Sequence, residues 1–204
     1  MMQMKQLILF SQPQLFEGEV EIINELMTLG KFNFHIRKKL SSRNEIANLV
    51  ESIEPKFRKR IVIHQYFEQA EEYGLFGIHL PESDRWSLSG IEGKKHNLIS
   101  TSIHDLSQYG IESKNYKYVF YSPVFTSVSK SDYHPALNLN QLEMCLNELK
   151  PTNLVALGGV KIENFKSALK LGFNGVALLG SVWQSENPVS YLSEFIKAFN
   201  GVSR

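Results

Sequence analysis

Along most of the chain, short apolar runs alternate with longer segments whose apolar residues recur at helical spacing. The apolar runs predict strands over residues 7–12, 32–39, 60–65, 76–81, 97–104, 116–125, 154–160 and 174–183. The segments with helical spacing predict helices over residues 20–29, 45–53, 66–73, 106–109, 139–149, 161–173 and 189–199. The chain is therefore predicted to alternate strand and helix almost from end to end.

This alternation favours an α/β fold, namely a (β/α)8 TIM barrel in a single domain over residues 1–204. A chain of 204 residues is long enough for one well-packed core and short for two domains. Residues 82–95 are polar and show no helical period, so we expect the fourth helix to be short or missing. An open, doubly wound sheet remains an alternative, because a count of strands does not show closure.

Glycine ends both of the last two predicted strands, as Gly158-Gly159 and as Gly180. In a barrel, the loops after strands seven and eight are the usual phosphate site, and glycine lets backbone N–H groups approach an anion closely. We therefore expect Gly159 and Gly180 to bind a phosphate. The alternative is that these glycines only allow tight turns.

Composition narrows the class of partner. The formal net charge is +1, with 22 basic and 21 acidic residues, so we expect no nucleic-acid partner. The first apolar run, residues 7–10, is too short for a signal peptide or a membrane span. The single cysteine, Cys145, lies in a helical pattern and fits a reducing cytoplasm and a buried, inert thiol.

Charged residues occur where the second predicted strand ends. Alternation places His35, Arg37 and Lys39 on one face, which would lie inside a barrel. Two buried cations are costly unless an anion compensates them, so this triplet indicates an anionic ligand. The alternative is that Lys38 and Lys39 form the solvated end of a strand.

Hydroxyl and imidazole groups follow the next strands. Ser100, Ser102 and His104 share one face of the fifth strand, and His79 lies in the fourth. Such groups inside a barrel can hydrogen-bond a heterocycle, although a histidine such as His79 is more often a satisfied core residue than a catalyst. Asp84 follows the fourth strand, where a carboxylate can bind Mg²⁺ or be solvated.

The loop after the sixth strand contains Ser127, Ser129 and Lys130 within four residues. Hydroxyls, backbone N–H groups and a lysine together can clamp an anion. Taken alone the motif is weak, because such loops are common.

Five motifs occur in order along the chain. They are His35-Ile36-Arg37-Lys38-Lys39, Gly77-Ile78-His79-Leu80 with Asp84, Ser102-Ile103-His104, Ser122-Pro123-Val124-Phe125-Thr126-Ser127-Val128-Ser129-Lys130 and Gly158-Gly159-Val160. In this order they resemble the motifs of the thiamine phosphate synthase and thiazole tautomerase superfamily, and the resemblance covers nearly the whole chain.

The resemblance implies a step of thiamine biosynthesis. A hydroxymethylpyrimidine diphosphate would be joined to a hydroxyethylthiazole phosphate, with release of pyrophosphate. It implies catalytic roles for Arg37, Lys39 and Lys130 at the departing diphosphate, and a Mg²⁺ ligand at Asp84. The implied substrate contacts are His35, His64, Ser102, Ser127, Ser129, Gly159 and Gly180.

The chain departs from the family pattern at several of these positions. The family's Asn-Asp pair after strand three is His64-Gln65 here, so Asp84 is the one matched metal carboxylate and Mg²⁺ binding should be weak. The family's pyrimidine-reading Gln is His35, and the histidine of the tautomerase branch is Pro123. We expect a synthase-like transferase acting on phosphorylated heterocycles. A tautomerase-like isomerase or a non-catalytic barrel that binds thiazole or thiamine phosphate are the alternatives, and a homo-oligomer is left open.

Overall fold

Parallel strands close into a barrel in the computed structural model, which describes residues 5–85, 97–126 and 135–202. The strands follow one another in chain order, and the last pairs with the first. This closed barrel confirms the predicted (β/α)8 fold class and excludes the open sheet. The strands are β1 (Gln6–Phe10), β2 (Asn33–Ile36), β3 (Ile61–Ile63), β4 (Gly77–Leu80), β5 (Leu98–Ile103), β6 (Tyr118–Tyr121), β7 (Leu154–Ala156) and β8 (Gly175–Leu178).

Helices connect the strands and form the outer layer. They are α1 (Glu19–Thr28), α2 (Arg43–Ser52), α3 (Glu68–Glu72), α4 (Tyr109–Glu112), α5 (Leu139–Leu149), α6 (Phe165–Leu171), α7 (Gly180–Trp183) and α8 (Pro188–Asn200). The short helix α7 occupies the end of the last predicted strand. No helix in the described ranges is both long and apolar enough to cross a membrane.

Local signals set several helix boundaries. Ser42 and Glu45 form a capping box that satisfies free N–H groups at the start of α2. Asn138 and Gln141 do the same for α5. At the end of α6, Gly172 adopts φ 111°, a left-handed conformation that glycine reaches without a side-chain clash.

The core has two layers. A large apolar cluster lies between the strands and the helices, as expected when each strand turns one face outward. A smaller cluster fills the barrel interior and consists of Ile8, Phe10, Val62, Ile99, Tyr118, Phe120, Val155 and Ala177. Buried polar residues, among them His35, His79 and Ser100, lie within the same barrel. The interior is therefore packed, with polar chemistry concentrated on a few strands.

Three predictions about local structure need correction or remain open. Strand β2 ends at Ile36, so the charged residues that follow lie beyond it. Cys145 is exposed, because α5 turns Leu142 and Leu146 into the core, and the prediction of a buried thiol was wrong. Residues 82–85 form a 3₁₀ turn, whereas the rest of the predicted helix-poor segment, residues 86–96, lies outside the described residues.

Candidate active site

The carboxyl ends of the strands form one opening of the barrel, called the mouth below. Arg37 and Lys39 lie there, just beyond β2. Arg37 is half-buried, and its guanidinium makes no ion pair with any residue in the described ranges. Lys39 is exposed, as the alternative of a solvated strand end predicted. The charges of both residues act on His64, so the mouth carries positive charge next to an imidazole.

Lys38, between these two residues, behaves differently. Its side chain is 0% exposed, and its Nζ lies 2.7 Å from Glu19 Oε1. It also donates to the carbonyl oxygens of Gln12 at 3.1 Å and Gln14 at 2.9 Å, which uses all of its N–H groups. The idea of a solvated Lys38 was therefore wrong, because the start of α1 supplies a buried carboxylate and the loop before it supplies carbonyls.

Three histidines meet inside the mouth. His35 comes from β2, His64 follows β3, and His79 lies in β4. His35 Nδ1 and His64 Nε2 are 2.9 Å apart, and the rings of His64 and His79 stack with centroids 4.1 Å apart. One ring nitrogen from each residue lies within 4.8 Å of the others. We call these three residues the histidine cluster.

Hydroxyl groups hold the other side of the cluster. Tyr118 Oη lies 2.6 Å from His35 Nε2, so both ring nitrogens of His35 have partners within the protein. Ser100 Oγ lies 2.8 Å from His79 Nδ1, and Ser102 Oγ lies 3.3 Å from His79 Nε2. Ser102 thus reaches the site as predicted for its strand face, while His35 is positioned to orient His64.

Burial keeps these imidazoles neutral near pH 7. It lowers the pKa of His35 well below the usual 6.5, and the charge of His79 lowers it further. Burial also lowers the pKa of His64, with additional contributions from the nearby imidazoles and from Arg37 and Lys39. Burial and then Arg37 lower the pKa of His79 to about 3. The barrel interior therefore offers neutral hydrogen-bonding groups, close to the positive charges of Arg37 and Lys39 at the mouth.

The glycine pair after β7 adopts left-handed conformations, with φ 92° at Gly158 and φ 65° at Gly159. A Cβ atom at Gly159 would lie 2.6 Å from the Phe125 carbonyl oxygen and 2.7 Å from that of Thr126. Backbone conformation and close chain approach therefore both require glycine here. This supports the turn interpretation, and phosphate binding at Gly159 stays a prediction.

Gly180 differs, because it opens helix α7 and has space around it. A Cβ atom there would meet no atom closer than Gln184 Oε1 at 3.6 Å. The next residue, Ser181, has a buried hydroxyl without a hydrogen-bond partner among the described residues. The indole of Trp183 donates to the Phe10 carbonyl at 2.6 Å and fixes α7 against β1. A phosphate oxygen would satisfy the Ser181 hydroxyl.

The predicted Mg²⁺ ligands form a sparse donor set. Asp84 is half-buried, and its Oδ1 accepts a hydrogen bond of 2.7 Å from Ser83. Gln65, where the resemblance implies that a second carboxylate is missing, donates from its amide nitrogen to the carbonyls of Lys38 and Ser41. In the described ranges, Asp84 belongs to no cluster of three potential ligands. Mg²⁺ prefers several oxygen ligands, so these residues fit it poorly.

The remaining predicted residues fall into two groups. Ser127, Ser129 and Lys130 lie outside the described residues, and only the preceding Phe125 and Thr126 are seen against Gly159. His104 is exposed at the end of β5, where its Nδ1 contacts the Ser122 carbonyl at 2.6 Å.

Two residues of the mouth and the barrel interior were not predicted from the sequence. Tyr118 lies in a predicted strand that alternates with Phe120, and a buried tyrosine hydroxyl needs a polar partner, which was a usable signal. Ser181 follows a glycine in an apolar run that resembled a continuing strand. Its role depends on the turn into α7, which the pattern did not reveal.

The fold and the mouth together define a (β/α)8-barrel protein with a polar, cation-bearing site at the carboxyl ends of its strands. A family model described as thiamine monophosphate synthase matches residues 7–182. The chain belongs to this family.

Named relatives agree with this assignment at modest identity. The thiamine-phosphate synthase of Staphylococcus saprophyticus is 20% identical over 185 residues, covering 87% of this chain and 87% of that protein. The thiamine-phosphate synthase of Listeria innocua is 24% identical, covering 85% of this chain and 86% of that protein. The solved thiamine phosphate pyrophosphorylase of Bacteroides thetaiotaomicron has a TM-score of 0.81 at 24% identity, covering 97% of this chain and 98% of that one. The last similarity concerns the fold alone.

Proposed function

We propose that this protein is a thiamine phosphate synthase-like transferase. It would join hydroxymethylpyrimidine diphosphate to hydroxyethylthiazole phosphate and release pyrophosphate. The family match and the named relatives support the reaction class. We place the reaction in the cytoplasm, as the sequence composition led us to expect.

The observation that carries the proposal is the unpaired guanidinium of Arg37 at the mouth. A half-buried cation without an ion pair in the described ranges is unfavourable by itself and becomes favourable when an anion binds. The departing diphosphate of the pyrimidine substrate is such an anion. Arg37 would bind it through its planar fork, and Lys39 would add a point charge from the rim.

The reaction requires little proton transfer by groups of the protein. The C–O bond between the pyrimidine methylene and the diphosphate breaks, and its electron pair leaves with the diphosphate. The thiazole nitrogen then donates its lone pair to the methylene carbon and forms the new C–N bond. Negative charge grows on the leaving oxygen, so Arg37, Lys39 and the expected Lys130 accelerate the step by stabilising that charge.

Neutral polar groups would hold the two rings. His64 is half-buried and stands between His35 and the mouth, so we assign the contact with the pyrimidine to His64 and give His35 a positioning role. Ser102 lies beside His79 in the same interior and can contact the heterocycle. The thiazole phosphate would lie near Gly159 and at Gly180 with Ser181, whose hydroxyl lacks a partner among the described residues.

Mg²⁺ supplies charge neutralisation to diphosphates in general. The single carboxylate of Asp84 fits a tightly held ion poorly, so we assign no step to the metal. We expect Mg²⁺ to enter weakly, as a partner of the diphosphate oxygens.

The hydrogen-bonded chain from Tyr118 through His35 to His64 favours a second candidate, a tautomerase-like isomerase. Such an enzyme moves a proton on the thiazole, and linked neutral imidazoles can donate and accept protons. That reaction releases no diphosphate whose growing charge the Arg37 guanidinium would stabilise, so the transferase is preferred.

Pyrophosphate release separates the candidates. With both substrates and Mg²⁺, we expect pyrophosphate and thiamine phosphate in equal amounts. When the thiazole phosphate is omitted, we expect only the small amount of pyrophosphate that slow hydrolysis releases. Isomerisation of a thiazole carboxylate phosphate without pyrophosphate would favour the tautomerase. Binding of thiazole phosphate without either reaction would favour a non-catalytic binding protein.

A further inference from the structure

We propose that the histidine cluster of His35, His64 and His79 is a binding site for a borderline divalent transition metal such as Zn²⁺ or Co²⁺. The proposal rests on the geometry of the cluster and does not depend on the transferase function. The metal would bind His64 Nε2, which faces His35, and the contact with the pyrimidine would use the other ring nitrogen of His64. It concerns a different site and a different ion from the expected Mg²⁺ at Asp84.

The distances suit one metal ion. Zinc binds histidine nitrogen at about 2.0–2.1 Å, so two nitrogens of a tetrahedral site lie about 3.4 Å apart. His35 Nδ1 and His64 Nε2 are 2.9 Å apart, and all three candidate nitrogens lie within 4.8 Å of one another. The required spacing therefore falls inside the observed range.

The surroundings resemble the outer shell of a metal site. Histidine ligands commonly use their second ring nitrogen for a hydrogen bond that fixes the ring. Tyr118 Oη holds His35 Nε2 at 2.6 Å, and Ser100 Oγ holds His79 Nδ1 at 2.8 Å. These contacts leave His35 Nδ1, which faces His64 Nε2, and His79 Nε2 as the ring nitrogens available to a metal. His79 Nε2 also lies 3.3 Å from Ser102 Oγ, a contact that the metal would replace.

One rearrangement is needed. The rings of His64 and His79 are nearly parallel, at an interplanar angle of 20°, so their lone pairs do not yet converge on one point. The terminal torsion of His64 is broad, so its ring can turn, at the cost of its stacking on His79 and its edge contact with Phe10. The hydrogen bond between His35 and His64 would be exchanged for two metal–nitrogen bonds.

The ligand type selects the metal. Three imidazoles suit Zn²⁺, Co²⁺ or Ni²⁺, whereas Mg²⁺ prefers oxygen. Three protein ligands leave a fourth position open, as in catalytic zinc sites. Because Arg37 and Lys39 add positive charge at the mouth, water or an anionic oxygen is expected at that position.

Cobalt titration of the full-length protein tests the site. Protein treated with a chelator is titrated with CoCl₂, and the visible absorption of low-coordinate Co²⁺ is followed, with Zn²⁺ as competitor. Wild type should bind one equivalent with intense visible bands that Zn²⁺ removes. His64→Gln and His79→Gln should each weaken binding by at least about a hundredfold, since outer-shell partners alone are worth 10–100-fold.

His104→Gln is the matched control, because His104 is exposed at the end of β5 and outside the cluster. It should bind Co²⁺ like wild type. Zinc-edge X-ray absorption of the wild-type protein counts imidazole ligands independently of how well any variant folds, and we expect three. The proposal is overturned if wild type takes up no metal in large excess, if His64→Gln binds Co²⁺ as tightly as wild type, if binding weakens equally in His104→Gln, or if absorption shows fewer than three imidazoles.

Discussion

Arg37 and Lys38 are neighbours in the chain, yet they lie in opposite environments. Lys38 is fully buried toward α1, where Glu19 and two carbonyls use each of its N–H groups. Arg37 is half-buried at the mouth and has no ion pair in the described ranges. One cation is satisfied by the protein itself, and the other is available for a ligand.

The difference shows how to separate structural from functional charge in one motif. A buried charge that is fully paired holds the fold together, and removing it leaves its partner uncompensated. A charge that lacks a partner contributes little to the stability of the free protein. Its interaction free energy is gained when substrate binds and the reaction proceeds. Substitutions at these positions should therefore divide into those that change stability and those that change turnover.

The largest expected effect on stability is that of Lys38→Met. It leaves the Glu19 carboxylate buried without its cation, and Glu19 Oε2 already lacks a partner among the described residues. Loss of one member of a buried pair costs about 3–5 kcal/mol in free energy of unfolding. Urea unfolding measures it, with exposed Lys39→Met as the control, which should change by no more than about 0.5 kcal/mol. Equal unfolding free energies for the two variants would contradict a structural role for Lys38.

Acidification should destabilise the metal-free protein next most strongly. The pKa of His79 is about 3 in the folded state and near 6.5 when unfolded, so the unfolded state binds more protons between these values. Stability is fully present above about pH 6.5 and falls as the pH is lowered, by about 2 kcal/mol at pH 5 for His79 alone.

Chemical unfolding at pH 7.5 and pH 5 in the presence of EDTA checks this prediction. His79→Gln should lose stability at neutral pH but show a shallower dependence on pH. Identical pH dependence of the two proteins would mean that His79 is not held neutral beside Arg37.

Gln65→Asp probes the turn after β2, which carries Arg37 and Lys38. Gln65 donates to the carbonyls of Lys38 and Ser41, and a carboxylate would face these oxygens without a donor. We expect a loss of about 1–3 kcal/mol in unfolding free energy, together with tighter Mg²⁺ binding. Calorimetric Mg²⁺ titration of both proteins, beside unfolding curves, decides the point. Tight Mg²⁺ binding by the free wild-type protein would contradict the argument from the missing carboxylate.

The smallest effect is expected for Gly180→Ala. A Cβ atom has room there, so stability should change by no more than about 0.5 kcal/mol, while affinity for thiazole phosphate should fall about threefold. Gly159→Ala is the contrasting variant, because its Cβ would lie 2.6 Å from the Phe125 carbonyl oxygen and should destabilise the fold. Unchanged phosphate affinity in Gly180→Ala would place the phosphate elsewhere.

Much of the fold was predictable, because strands and helices alternate with clear apolar periodicity. The faces of β2 and β5 were also predictable, so His35 and Ser102 were expected inside the barrel. Lys38 was not, because its burial depends on Glu19, which packing of α1 brings to it from outside β2. The meeting of His64 and His79 depends likewise on barrel closure and has no local signature in the sequence.

The most direct test of the account is the steady-state rate of pyrophosphate release by Arg37→Ala with both substrates. Because Arg37 is assigned to charge that grows on the leaving diphosphate, kcat and kcat/KM should both fall about a hundredfold, roughly 3 kcal/mol in activation free energy. The melting temperature should stay near that of wild type. Arg43→Ala serves as the control, since Arg43 is 49% exposed and pairs with Glu68 on the surface, and it should turn over normally. An Arg37→Ala variant that folds normally and releases pyrophosphate at the wild-type rate would contradict the central claim that the Arg37 guanidinium stabilises the departing diphosphate.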